Sequence, residues 1–213
     1  MSAVIAGAKR SGWRRVAYLG RRAVQMEIGV WRSIYRFVFR RPRVPPGATG
    51  FTYHRPVLPL LVGFLVASAI ELVAVDLLVH QWPLVRIPLL AVGIWGLLWM
   101  LGLLLGYLTR PHAVGPEGIR VREGAEVDIG VPWEAVESVA RVEQASQSSR
   151  PARVADTEDG RVLSLWVQQA TDLEVVLARP FVVRLPQGTW TVDVLRFHAD
   201  EPKDFMAAVR RHI

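Results

Sequence analysis

Residues 57–79, VLPLLVGFLVASAIELVAVDLLV, and residues 84–108, LVRIPLLAVGIWGLLWMLGLLLGYL, are two apolar runs separated by His80, Gln81, Trp82 and Pro83. A helix rises about 1.5 Å per residue, so each run is long enough to cross about 30 Å of hydrocarbon. The four residues between them supply polar edges, an interfacial indole and a helix stop, which favours two spans over one long helix. The expected fold is therefore membrane α + β, organised on a two-span transmembrane helical hairpin over residues 56–109.

The charge is divided by this hairpin. Twelve cations precede it against one anion, Glu27, whereas from Arg110 onward 13 cations meet 16 anions. The connection at residues 80–83 carries no Lys or Arg, and short basic flanks stay in the cytoplasm. The expectation is a multi-pass protein of the cell inner (plasma) membrane with both termini cytoplasmic. The first residues, MSAVIAGA, are too short for a secretory h-region, and their cations follow the apolar residues. A basic segment beside a span, followed by a mildly acidic tail, argues against nucleic acid as partner.

Residues 1–41 read as a basic amphipathic helix lying in the plane of the inner leaflet. Trp13, Ala17, Gly20, Val24, Ile28, Trp31, Tyr35 and Val38 recur at spacings of three and four, and most arginines lie off that line. Arg32, Arg36, Arg40, Arg41 and Arg43, with Trp31, are the candidate lipid contacts, since anionic lipid attracts each nearby cation by about 1 kcal/mol. Gly7, Gly12 and Gly20 weaken the first 25 or so residues as helix, and Met26 opens a self-contained segment. Pro42, Pro45, Pro46 and Gly47 then make residues 42–55 a stiff connector. Phe51, Tyr53 and Tyr107 are assigned as anchors at the inner interface and Trp82 at the outer one.

Three charged residues fall inside the runs. Counted from residue 57, Glu71 lies about 21 Å deep and Asp76 near the outer edge, at the level of Arg86 on the other arm. An Asp76–Arg86 ion pair would brace the turn. Glu71 has no cation at its depth and needs a hydrogen-bonding partner, either Trp95 or a second copy of the chain. Gly102 and Gly106 form a GxxxG for close helix packing, either between the two arms or between copies; Gly63 and Ala67 offer a weaker equivalent.

Beyond Pro111 the period shortens. GIRVRE, VDIGV, VESVARV, VLSLWVQQ, LEVVLA, FVVRL and WTVDVLRF are short runs separated by turn residues, giving about seven strands of an antiparallel barrel or sandwich over residues 110–213. Residues 143–161 are polar and read as a loop or hairpin tip. Trp133, Trp166 and Trp190 are assigned to the core. Phe205, Met206, Val209 and Ile213 mark a closing amphipathic helix behind Glu201-Pro202.

The segments GPEGIRVREG, VPWEAVESV and DEPKDFMAAVRRHI resemble the bacterial PH-like domains attached to small membrane proteins. WRSIYRFVFRRPRVPPGA and LTRPHAVGPEGIRVR are also similar to a group of two-span proteins of high-GC bacteria. The resemblance implies a membrane-tethered, non-enzymatic interaction module. Head-group binding of the PH kind is disfavoured on the first strand pair, because Glu123, Glu126 and Asp128 follow Arg120 and Arg122.

The sequence holds no Walker A loop, GxSxG elbow, HExxH pair or GxGxxG, no cysteine, and five dispersed histidines. No catalytic residue, metal or cofactor is expected. Two readings of function follow: a membrane-anchored scaffold with anionic lipid and an unknown protein as partners, or a small homo-oligomer using Glu71 for a proton- or solute-coupled role.

Overall fold

A computed structural model describes residues 12–39, 43–124, 127–145, 152–157, 160–186 and 188–213. Helix α1 covers Gly12–Val38; α2, Leu58–Val79, and α3, Pro83–Thr109, form the apolar pair. Both are long and apolar enough to cross a membrane, with mean hydropathies of 2.3 and 2.2. None of the residues of α2 is buried by protein, and those of α3 that are buried cluster at its C-terminal end. Apolar side chains left uncovered along such lengths mark a surface that takes either lipid or another protein.

Strand β1, Thr49–Phe51, precedes the helical pair. After it come β2 (His112–Gly115), β3 (Gly118–Glu123), β4 (Val127–Val131), a 3-10 turn at Trp133–Ala135 and β5 (Val136–Ala145). Then follow β6 (Ala152–Thr157), β7 (Gly160–Leu165), β8 (Ala170–Leu185), β9 (Gly188–Phe197) and helix α4 (Pro202–Val209). One sheet runs β1-β2-β3-β4, the other β5-β8-β9-β7-β6. Their inner faces share a single core, in which Val121, Ile129, Leu163, Leu173, Val192 and Phe197 meet Phe205 and Val209 of α4. Alternation puts these residues inward: β4 is buried at Val127, Ile129 and Val131 and exposed between them.

Four expectations are corrected. The connector of residues 42–55 is not only a linker: β1 pairs with β2, Thr49 opposite Val114 and Phe51 opposite His112. Phe51 and Tyr53 are accordingly buried in protein and do not anchor at an interface. The strands are not all antiparallel, since β7 and β9 run parallel, Val162 opposite Val194. LEVVLA and FVVRL belong to one strand, β8, whose register against β9 shifts between Val176 and Phe181, around Pro180. A proline lacks the N–H that the ladder needs, so the strand bulges there and resumes.

Smaller differences have equally local causes. Residues 143–161 contain the end of β5 and all of β6, with residues 146–151 and 158–159 outside the described set. Trp133 packs on the core, but Trp190 is 40% exposed near the β8–β9 turn. Helix α4 stops at Val209, which leaves Ile213 in the open.

Candidate functional site

The helices and the β-domain are joined at one built junction. Thr109, the last residue of α3, gives its carbonyl to the backbone N–H of Arg43 at 3.0 Å. Arg122 on β3, 2% exposed, reaches into the same place: its Nη1 donates to the carbonyl of Pro111 at 3.0 Å and to that of Arg43. Its Nε meets Asp128 Oδ1 at 3.2 Å, an oxygen also taken by Arg120 Nε at 2.8 Å, while Arg43 Nη1 lies 3.5 Å from the other oxygen. Burial works to raise the Asp128 carboxyl, but Arg120 and Arg122 outweigh it and hold the group below the usual carboxylate range.

Behind Arg122 sits His112. The backbone N–H of Arg122 donates to His112 Nδ1 at 3.0 Å, so Nδ1 is an acceptor and the proton is on Nε2, which donates to the His198 carbonyl at 2.9 Å. Burial pushes this imidazole down to about 4. Tyr53 stacks on it at 4.5 Å, and the Tyr53 hydroxyl accepts from the Gly124 N–H at 2.9 Å. Burial raises that phenol above its ordinary range. His198 is opposed by burial yet raised overall, because Asp172 lies 3.1 Å and Asp200 3.6 Å from its ring.

Arginines gather on the helical side of the junction. Arg110 is buried, and burial together with Arg43 and Arg36 nearby lowers its guanidinium from the ordinary range. Arg36 keeps Nη1 shut away from solvent with no hydrogen-bond acceptor among the described residues. On the far side of β2, a cleft of about 450 Å³ opens between Pro45, Pro46, Pro116, Pro132 and Arg120.

The candidate residues named from sequence fall into separate places. Arg43 and Arg36 belong to the junction. Arg32 is exposed, and Arg40 and Arg41 lie outside the described residues. Trp31 is also exposed, its indole donating to Glu27 Oε1 at 2.8 Å. Trp95 donates to that same oxygen at 3.2 Å, so the Trp95 partner is Glu27 and not Glu71. Glu71 is exposed on α2, and no group among the described residues meets it. Asp76 and Arg86 are brought together in a two-bonded pair, Nε–Oδ1 2.6 Å and Nη2–Oδ2 2.9 Å.

Gly102 and Gly106 serve a partner that neither alternative named. A Cβ on Gly102 would sit 2.3 Å from Val30 Cγ1, and one on Gly106 would sit 3.4 Å from Ser33 Oγ, both on α1. The close approach of α2 to α3 is instead at Gly93, against Leu72. From Gly106 back to Trp95 the contacts with α1 extend about 16 Å along α3, so α1 leans on α3 and does not lie flat throughout. Val24, Ile28, Trp31, Tyr35 and Val38 of the foreseen apolar stripe remain exposed, because the packing face is Glu27, Val30 and Ser33.

Arg110, Arg122, His112, Tyr53 and Glu27 were not singled out as site residues from sequence. The signal in hand was the repeated basic-proline pairing of RPR at residues 41–43 and RPH at 110–112. Together these features define a chain with two long apolar helices and a third helix leaning on them, carrying a β-domain of one antiparallel and one mixed sheet. Comparison with family models, curated proteins and solved structures gave no match.

Proposed function

We propose that this chain is a membrane-anchored scaffold or interaction protein. In this reading α2 and α3 span the inner membrane and both termini are cytoplasmic. The β-domain, a PH-like module of two packed sheets closed by α4, is presented at the inner leaflet to a protein partner. The observation that carries the reading is the junction itself. Thr109, Arg110, Pro111 and His112 are all buried where α3 runs into β2, so the domain has no slack tether and is held at a fixed height against the end of the helix. A fixed module suits the presentation of a surface; an enzyme tethered only for localisation has no need of it. The exposed stripe of α1, with Trp31 and Arg32 on it, supports contact with anionic lipid.

The absence of cysteine makes the test direct. Gln81→Cys and Ala207→Cys are to be labelled in intact cells with a membrane-impermeant maleimide, then again after permeabilisation. Gln81→Cys should react in intact cells and Ala207→Cys only once the membrane is opened. Labelling of Ala207→Cys from outside, or recovery of the chain in the soluble fraction without detergent, overturns the arrangement. A photoreactive residue at Val182, exposed on β8, should then crosslink to a discrete protein and not to lipid.

One observation favours a second reading. Glu71 is an ionisable group on a helix otherwise suited to lipid, and such groups mark coupling or assembly sites. In that reading copies of α2 assemble around Glu71 in a proton- or solute-coupled role. Glu71→Gln should then abolish the coupled activity, whereas a scaffold should keep its partner.

A further inference from the structure

The β-domain is attached to the two apolar helices at two places, which differ in their charge chemistry. At the end of α3 the attachment uses Arg122 and the neutral His112. Ahead of α2, residues 52–55 are strapped down by the loop between β9 and α4. The Asp200 N–H donates to the Thr52 carbonyl at 2.8 Å, and the Asp200 carboxylate accepts from the Arg55 N–H at 3.1 and 3.3 Å. The Asp200 side chain is wholly buried, and the His198 ring lies 3.6 Å from it. The Arg55 guanidinium is taken by Glu201. On the other side of the ring Asp172 Oδ2 lies 3.1 Å from Nδ1, while Asp172 Oδ1 accepts from the Ala199 N–H at 2.9 Å. Both ring nitrogens are enclosed, and neither is aligned for a hydrogen bond with the carboxylate beside it. Charge therefore holds the three groups together.

We infer that His198 is a proton-controlled latch for the start of α2: as imidazolium it holds Asp200 under the Arg55 N–H, and on losing its proton it frees residues 52–55 from the β-domain while the α3 attachment stays closed. A neutral ring leaves Asp200 buried without a counter-charge, and a buried charge stripped of its partner is strongly destabilising. The His198 carbonyl is held by His112 Nε2, so the strap yields before the ring does. The direction is set by the two acids. Burial opposes the charged ring, but Asp172 and Asp200 raise its proton affinity above the ordinary histidine value of 6.5. The folded value is the higher one, so the strap is closed below pH 6.5 and opens as pH rises through that folded value. The other charged groups nearby do not take over. Burial and Arg55 lower the proton affinity of His54 despite Asp200. Glu174 and Arg196, two residues along the same face, are paired with each other at 2.6 Å. The latch concerns the β-domain and the segment ahead of α2, and it holds whether or not α2 lies in lipid.

The test is hydrogen exchange on the full chain in a neutral detergent, from about pH 6 to about pH 8.5, with each amide rate divided by that of an unstructured peptide at the same pH. Protection of the Arg55 and Asp200 amides should fall by about tenfold across that range, the effect of a shift of about one pKa unit. The midpoint should match the titration of the His198 ring followed by NMR and lie above 6.5. The Arg43 and Arg122 amides, bonded to the Thr109 carbonyl and to His112 at the other attachment, should keep their protection. Asp172→Asn withdraws one of the acids that favour the charged ring, so it should move the midpoint to lower pH and leave the step in place. His198→Gln should leave the strap weakly protected at every pH, with no step, while protection at Arg43 and Arg122 reports that the fold is kept. Three results overturn the latch: equal changes at Arg55 and Arg122 in the wild type, a His198 ring that titrates below 6.5, or a step that persists in His198→Gln.

Discussion

His112 shows how one buried side chain is given a single protonation state. Its Nδ1 accepts from Arg122 and its Nε2 donates to His198, so a second proton would break the first bond and charge a dry site. The folded value, about 4, lies below the unfolded 6.5. Stability from this group is therefore complete above pH 6.5 and falls as pH drops from 6.5 through about 4, by about 3 kcal/mol at most. His198 acts in the opposite sense: its folded value is raised, so its contribution is full below 6.5 and is lost as pH rises. Between pH 6.5 and 4 His198 is charged in both states, so the slope there comes from His112 together with His54, which burial also lowers, and toward pH 4 from Asp128; the part that His112→Gln removes is the share of His112. Thermal melts of the wild type should lose midpoint across that window. His112→Gln should start lower at pH 7 and show a flatter fall. A second residue-scale prediction concerns Asp76 and Arg86, whose side chains meet in two hydrogen bonds. Removing one member leaves the other charge alone at the end of an apolar helix, so Asp76→Asn or Arg86→Gln alone should lower the melting midpoint more than the double change does. A double change at least as damaging as the sum of the singles would remove the pair from any bracing role.

At the scale of elements, the decisive contact is α1 against α3. The Gly102 side of α3 is closed by Val30, whose backbone carbonyl lies 3.1 Å from the position a Cβ would take; at Gly106 the nearest atom is the Ser33 hydroxyl at 3.4 Å. Gly102→Val should therefore push α1 away at an overpacking cost of about 1–3 kcal/mol, while Gly106→Ala should be tolerated. Hydrogen exchange in α1 reads the difference: faster exchange around Val30 in Gly102→Val, partly restored by adding Val30→Ala, and little change in Gly106→Ala. This contact also marks a limit of what the chain discloses in one dimension. GxxxG announces a close approach but not the partner, since a small surface on α3 accepts α2, α1 or another copy equally well. The bounds of α2 and α3 were legible to within a residue, because an unbroken apolar composition runs through each and the polar and proline residues between and beside them mark the ends. Strand β1 was not: TGF is too short for a period and follows a proline-rich run, and only the unpaired edge of β2 makes it a strand. Trp190 and β8 failed for a related reason, since alternation gives the face of a residue but not how far the partner sheet extends over it.

For the whole molecule, the division of charge around the apolar pair and the division of structure coincide. Arginines precede the pair, a mildly acidic β-domain follows, and the two parts meet at the junction of Arg43, Arg122 and Asp128. That meeting depends on tertiary contacts between residues about 80 positions apart, which is why the candidate site was only half legible: Arg36 and Arg43 declare themselves by a basic run, but Arg110 and Arg122 looked like ordinary flanking and strand cations. Glu71 is the group this arrangement leaves unanswered. The outward side of α2 carries Gly63, Ala67 and Ala74 at helical spacing with it, all exposed. Where α2 spans the membrane, as proposed, a carboxyl group gains by finding a hydrogen-bonding partner, and small neighbours let a second helix approach closely enough to supply one. A second copy of α2 carries the same side chain at the same position along the helix, where the two can share a hydrogen bond across the contact. With no native cysteine in the chain, Ala67→Cys or Ala74→Cys oxidised in membranes should give a disulfide-linked dimer, while a cysteine at Leu72, on the side that faces Gly93, should not. Adding Glu71→Gln should preserve the crosslink because the amide still donates and accepts, and adding Glu71→Leu should reduce it several-fold, the range expected for loss of an interhelical hydrogen bond of about 1 kcal/mol. Crosslinking that ignores position 71, or that is as strong from Leu72 as from Ala67, would assign Glu71 to lipid or to a different protein.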